Sequence, residues 1–453
     1  MKWLANILSR FLQRESGNAE MGRIIEGTIR SLLIQGSSVV LLFACNLIMT
    51  RWAGADVYGQ YVHVFNWISL LSVAAVGGRE DLAVSEIPKF KLSKRYDRII
   101  SMVRISNRHI LIAATIAGLI FLSVIYFFPV KMLHEYRTEF LVGWAAIYFS
   151  AFFSLNQSVL QALNFIGLSQ FVEKWLKPAL MIIFFITAYA LGVQAQGRIL
   201  IGLVVLAMGI CCIVLGLLVK GKIKSFPSSA ARSQGDGVVG KNLNGKAFYF
   251  FLITVMTLLI TRISMLVLPY FTPRKDVGIF NIGYRFADLI IYPFFLMHAV
   301  LPQTFARHTG SDASHKQSLY SGTTKLMLTL TLPLLIINIL GGKFFLGWFG
   351  KDFEDGYPVL IILSVAQCLY SFFGPGNTIL MMQGRERQAT ICLVIYVAVL
   401  FGMCLLLIPK MGITGGAISM LIGCLIYNIV LSVIVYRFSG VISPFLAFLV
   451  RAR

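Results

Sequence analysis

Three ionisable residues stand where an apolar sequence gives them no solvent. Arg262 interrupts "LLITRISMLVLPY", and Arg285 and Asp288 fall in "NIGYRFADLIIYP", in stretches long enough to cross a membrane. At a rise of about 1.5 Å per residue, Arg262 sits about 12 Å from one end of its helix, and Arg285 and Asp288 about 9 to 14 Å into the next. Antiparallel neighbours bring all three to one level. Arg285 and Asp288 are three apart on one helical face, a spacing that permits a pair and leaves Arg262 as surplus positive charge. In one reading an internal ion pair joins the two helices, and Arg262 extends along its alkyl stem towards the membrane surface. In the other, the guanidinium groups line a hydrated cavity and bind a phosphate or acidic sugar, whose oxygens match the planar fork of arginine. Ionisable residues inside a membrane mark functional sites by default, so these three head the candidate substrate-binding set.

Gln157, Gln161 and Asn164 join that set, because they recur at three- and four-residue spacing in "LNQSVLQALN". Such a face either bonds sugar hydroxyls or holds helices together. Arg79 and Asp81 in "GREDLAVSEIPKF", with Lys174 and Lys177 in "QFVEKWLKP", form a candidate inner gate or access route. The competing reading of the two lysines is interfacial anchoring, and Arg51 reads the same way. No catalytic constellation emerges. The six histidines are scattered, no phosphate-cradling loop occurs, and the seven cysteines fall inside apolar runs without metal-ligand spacing. The expectation is a protein that is not an enzyme and needs no cofactor or metal.

These residues are held by a chain of 453 residues that is 57% hydrophobic and 13% charged, with a mean hydropathy of +0.79. Soluble domains carry about 25% charged residues. A charge at the bilayer centre costs at least about 2.5 kcal/mol, so a long chain this poor in charge belongs in hydrocarbon. The predicted fold is all-α: a polytopic membrane protein of about twelve transmembrane helices in two parallel six-helix bundles around a central cavity. The bundles span 30–219 and 247–436, with a basic, Ser- and Gly-containing linker at 220–246 and terminal segments at 1–29 and 437–453. The start, "MKWLANILSRFLQRE", lacks a cleavage site and does not read as a signal peptide; its apolar face suggests a helix lying in the headgroup region, with an ordinary frayed tail as the alternative.

A net charge of +21 would point to nucleic acid in a soluble protein. Here most lysines and arginines fall in alternate connections, as the positive-inside rule demands, which places both termini in the cytoplasm and removes nucleic acid as a partner. The connections on the other side are short and hold no domain.

The chain also repeats itself. An offset of 220 residues lays Asp56-Val57 on Asp276-Val277 and Gly192 on Gly412, and leaves Gly59 one residue from Gly278. Six helices per half make the repeats parallel, related by an axis along the membrane normal, with the substrate site between the halves.

The stretch "NLIMTRWAGADVYGQYVHVFN" (46–66), with Arg51, Gly54, Tyr58 and Gly59, resembles the first helix and turn of polysaccharide flippases in the multidrug/oligosaccharidyl-lipid/polysaccharide (MOP) superfamily. "VLQALNFIGLSQF" (159–171), "GREDLAVSEIPKF" (78–90) and "LIPKMGITGGAIS" (407–419) are similar to that family too. The resemblance implies a Wzx-type flippase in the bacterial inner membrane. It would move undecaprenyl-pyrophosphate-linked oligosaccharide across by alternating access, for O-antigen, capsule or exopolysaccharide, with a polymerase and a chain-length regulator as pathway partners. The chain lacks the arginine-rich first helix and two extra carboxy-terminal helices of the lipid II flippase branch. A cation-coupled drug exporter of the same superfamily is the alternative, disfavoured because no acid lies centrally in the first six spans. A membrane glycosyltransferase or polymerase is disfavoured by the short outer loops.

Overall fold

The computed structural model describes residues 18–127, 136–226, 236–294, 313–382, 385–440 and 443, and every regular element among them is helical. Residues 1–17 of the amino-terminal segment and nearly all of 441–453 lie outside the described residues. In hydrocarbon each backbone N–H and C=O must be bonded within the chain, and a helix of Leu, Ile, Val and Phe does this locally.

In the first half, helix α1 (Asn18–Val76) is followed by α2 (Arg79–Leu92), α3 (Tyr96–Phe127) and α4 (Arg137–Ala162). Next come the short α5 (Ile166–Phe171), a π segment (Val172–Leu176), α6 (Lys177–Ala190) and α7 (Gly197–Lys224). The second half holds α8 (Asp236–Val267), α9 (Arg274–Asp288), α10 (Ala313–Gly347), α11 (Tyr357–Phe373), α12 (Gly376–Met382) and α13 (Glu386–Ser439). Residues 236–246, read from the sequence as linker, thus already belong to α8.

Among the described residues, eight helices are long and apolar enough to span a membrane. Two of them, Gly36–Val76 with 41 residues and Arg387–Phe438 with 52, exceed one crossing. At about 1.5 Å per residue they run roughly 60 and 80 Å, against a hydrocarbon core of about 30 Å. Each bends at a glycine in a positive-φ conformation, Gly54 (φ 73, ψ 173) in α1 and Gly412 (φ 57, ψ −133) in α13. The bends convert each rod into two crossings. The segmented runs 166–190 and 274–294 supply one crossing each, which makes the layout one of twelve. At each bend one residue in a conformation that L side chains rarely adopt turns the chain.

The interruption in 166–190 has a local cause. Pro178 brings no backbone N–H to the ladder, and the π segment Val172–Leu176 lies immediately before it. Within the first half α4 packs on α1, α2, α3 and α7, and in the second α11 packs on α9, α10 and α13. The halves meet along α1, which packs on both α8 and α9, and along α2, which packs on α8.

Candidate functional site

The seam between the halves has two ends, one at the Gly54 turn and one at Gly78. Aromatic rings pack across it: Phe43 of α1 lies 4.8 Å, centroid to centroid, from Phe286 of α9, which lies 5.6 Å from Phe349. Arg51, expected as a membrane-surface anchor, is exposed and reaches across. Its Nε donates to the Trp348 carbonyl at 2.6 Å, just past the carboxy-terminal end of α10, where unpaired carbonyls favour a cation.

Tyr58, fully buried, joins the halves by its hydroxyl. The hydroxyl donates to Asn46 Oδ1 at 3.0 Å within α1 and accepts from Asn281 Nδ2 of α9 at 2.8 Å. Arg285, one helical turn past Asn281, lies near enough for its charge to act on Tyr58.

Two turns further along α1, Asn66 Oδ1 accepts from Arg262 Nη1 of α8 at 3.1 Å. Arg262 and Arg285 are near enough for each charge to act on the other, and Asp288 lies within electrostatic reach of both. The structure therefore brings the three intramembrane ionisable residues together at the seam. The ion pair that their spacing permitted is not formed: among the described residues no salt bridge joins Asp288 to either arginine. Arg262 turns to Asn66 instead. Three donor atoms here have no acceptor: Arg262 Nε, Arg285 Nε and Asn66 Nδ2. A buried unsatisfied donor of this kind is unfavourable by at least about 1 kcal/mol, and more when charged.

Towards Gly78 the contacts are acidic. Glu80 accepts from Ser154 of α4, and Asp81 accepts from Thr254 of α8 at 3.0 Å, so adjacent carboxylates hold different halves. Glu86 bridges Lys89 and Lys246 of α8, both at 3.0 Å. Helix α2 is not among the membrane-spanning helices. Burial and the neighbouring Asp81 charge push Glu80 up to about 7. At Glu86 burial acts upward too, but hydrogen bonds from Lys246 and Lys89 outweigh it and hold the carboxyl below its ordinary value.

The remaining sequence candidates divide. Arg79 is buried at the start of α2, beside the cross-half contact of Asp81. Gln157 donates to Glu173 of the π segment, and the nearby Lys177 sits over the Phe153 ring at 5.7 Å. Lys177 is therefore inside the first half rather than at its surface; its charge and that of Arg285 both reach Cys45. Gln161 and Asn164 do not continue the Gln157 face into the seam. Asn164 lies beyond the end of α4, exposed, in a positive-φ turn (φ 72) whose N–H bonds the Gln161 carbonyl. Asparagine tolerates that turn better than most residues, which accounts for it there. Lys174 lies in the same π segment as Glu173. Sequence reasoning missed Tyr58, Asn66 and Asn281. The available signal was amide and hydroxyl residues inside apolar spans on the faces that carry the arginines.

No protein-family model matches the chain, and no curated protein does. Its fold is that of MOP superfamily transporters. The inward-facing conformation of a multidrug resistance MATE family transporter of the MOP superfamily superposes with a TM-score of 0.73 at 15% identity, over 89% of this chain and 94% of that one. The lipid II flippase MurJ in an inward closed conformation gives 0.61 at 14% identity, over 90% and 87%. A MOP superfamily transporter from Pyrococcus furiosus, described as having a binding pocket of reverse polarity that suggests a different function, gives 0.58 at 14% identity, over 92% and 95%.

Proposed function

We propose that this multi-pass membrane protein is a flippase of lipid-linked oligosaccharide, carrying an undecaprenyl-pyrophosphate headgroup between the two halves from the cytoplasmic to the outer leaflet of a bacterial inner membrane. The observation that supports it is the convergence of Arg262 Nε, Arg285 Nε and Asn66 Nδ2, three donors without an acceptor at one level of the seam. A pyrophosphate or acidic sugar is rich in acceptor oxygens and negative charge, and the planar guanidinium binds such oxygens in pairs. In this reading the Gly78 end faces the cytoplasm, and Arg79, Asp81, Lys174 and Lys177 lie on the access side. Gln157 positions Glu173 beside them.

The same fold serves a multidrug transporter, the lipid II flippase MurJ and a transporter with a pocket of reverse polarity. Polarity of the site is therefore the discriminating feature. A cationic drug entering here would meet two guanidinium groups and a single carboxylate.

The test is deletion of the gene in its host, with lipid-linked oligosaccharide on each leaflet read by a membrane-impermeant label and mass spectrometry. The expected result is accumulation on the cytoplasmic leaflet, rescued by the wild type but not by Arg262→Ala. An unchanged lipid pool together with heightened sensitivity to cationic drugs would replace this reading with drug export.

A further inference from the structure

Asn66 and Tyr58 stand on the same limb of α1, eight residues apart, with 2% and 0% of their surfaces exposed. Each accepts from the opposite half, Asn66 from Arg262 Nη1 and Tyr58 from Asn281 Nδ2. Arg262 and Arg285 both have an Nε without an acceptor, and Asn66 itself keeps a spare donor in Nδ2. If the halves part at the Gly54 end, Arg262 loses its acceptor while still inside the membrane. A guanidinium without an acceptor there is strongly disfavoured.

We infer that Asn66 is a stand-in acceptor that, together with the Tyr58–Asn281 bond, keeps the empty protein closed at the Gly54 end, and that anionic headgroup oxygens must take its place on Arg262 before the halves separate. This rests on the anion site proposed above and adds a role for two residues that need not touch the substrate in the closed state. The ligand's differential contact with the two states supplies the bias: an acceptor that stays with the arginines when the halves move favours the open state, whereas Asn66 and Tyr58 stay with the other half. Opening thereby becomes conditional on cargo, which suppresses empty cycling and leakage of other lipids through the seam.

The experiment uses the full chain in lipid nanodiscs, with spin labels carried by unnatural amino acids at positions 194 and 351 so that the native cysteines remain. Gln194 and Lys351 are exposed and belong to Gly54-end connections of different halves. Distances are measured with and without undecaprenyl pyrophosphate, and binding of that probe is measured in parallel. The wild type should show one short separation when empty and gain a longer one with the probe. Asn66→Leu, which removes the acceptor of Arg262 together with the spare amide, should populate the longer separation without probe about tenfold more than wild type, as loss of a charged hydrogen bond predicts; Tyr58→Phe, which removes the bonds to Asn46 and Asn281, should do so to a smaller extent. Asn66→Asp should stay short at probe concentrations that open the wild type, because a carboxylate holds Arg262 more tightly. Loosened packing does not drive Leu and Asp in opposite directions. If Asn66→Leu and Tyr58→Phe bind the probe but keep the wild-type separation, the inference is overturned and the anion site stands. If the wild type binds the probe no better than Arg262→Ala, the anion site falls and the inference falls with it.

Discussion

Gly59 and Gly278 cross with their backbones in contact, each fitting into the turn of the other. A Cβ built on Gly59 would stand 2.0 Å from the Arg274 carbonyl oxygen and 3.3 Å from the Gly278 nitrogen. One built on Gly278 would stand 2.8 Å from the Ala55 oxygen and 3.2 Å from the Gly59 nitrogen. In both directions the blocking carbonyl lies four residues before the opposing glycine, so the two helices present equivalent surfaces. The residues that self-alignment of the chain brought within one position of each other are thus the ones on which the halves touch.

Alanine at either glycine should separate the halves here. The obstacle is backbone, which has no rotamer to yield, so overpacking is expected to destabilise by about 1–3 kcal/mol, more for Gly59→Ala than for Gly278→Ala. Thermal unfolding in detergent checks this. Gly402→Ala is the control, since a Cβ there meets nothing within 4 Å, and its unfolding should stay unchanged or rise slightly.

Arg285 binds through geometry as well as charge. Arg285→Lys keeps the charge but loses the fork, so the export it supports should fall by about tenfold, and Arg285→Ala should abolish export. Leaflet-resolved labelling of lipid-linked oligosaccharide, normalised to protein amount in the membrane, reads both. Equal export by Lys and Arg would show that charge alone suffices.

At the other end the Glu86 to Lys246 bridge should contribute modestly to holding the halves together. Glu86 is nearly buried, but the Lys246 side chain is 57% exposed, and solvent screens such a pair to about 0.2–1 kcal/mol. A double-mutant cycle of Glu86→Gln and Lys246→Met, read by thermal unfolding, should return a coupling in that range and shrink it in high salt.

The two buried acids of α2 should give stability opposite pH slopes. Glu80, raised from 4.5 to about 7, is favoured by the fold only when protonated, so its contribution is greatest below 4.5 and declines as pH rises from about 4.5 to 7. Glu86, lowered from 4.5, contributes fully above 4.5 and loses that contribution as pH falls through its folded value. Glu80→Gln should therefore flatten the decline between pH 4.5 and 7 and leave the acid limb in place. A decline of the same steepness in Glu80→Gln would assign that slope to another group.

Much of this architecture was legible because lipid restricts the choices. The apolar runs containing Arg262 and Arg285 had to be helices, and their antiparallel order placed the two charges at one depth. Which residues bond across the seam could not be read, because Tyr58 and Asn281 are 223 residues apart, Asn66 and Arg262 are 196 apart, and nothing local marks them as partners. The three-residue spacing of Arg285 and Asp288 suggested a pair by local geometry alone, and none forms between them. Asn164 misled for the opposite reason: its spacing matched a helical face, but the helix had already ended in the turn that asparagine stabilises.

The bend at Gly54 has a consequence for how the first two crossings are set. A Cβ at that glycine meets nothing within 4 Å, so crowding does not explain its absence. The obstacle is chirality, since φ 73 with ψ 173 lies in a region that an L residue reaches only under strain. The angle between the limb that bears Asn46 and the limb that bears Tyr58 and Asn66 is consequently fixed by the handedness of one α-carbon, in a place where any side chain would have had room.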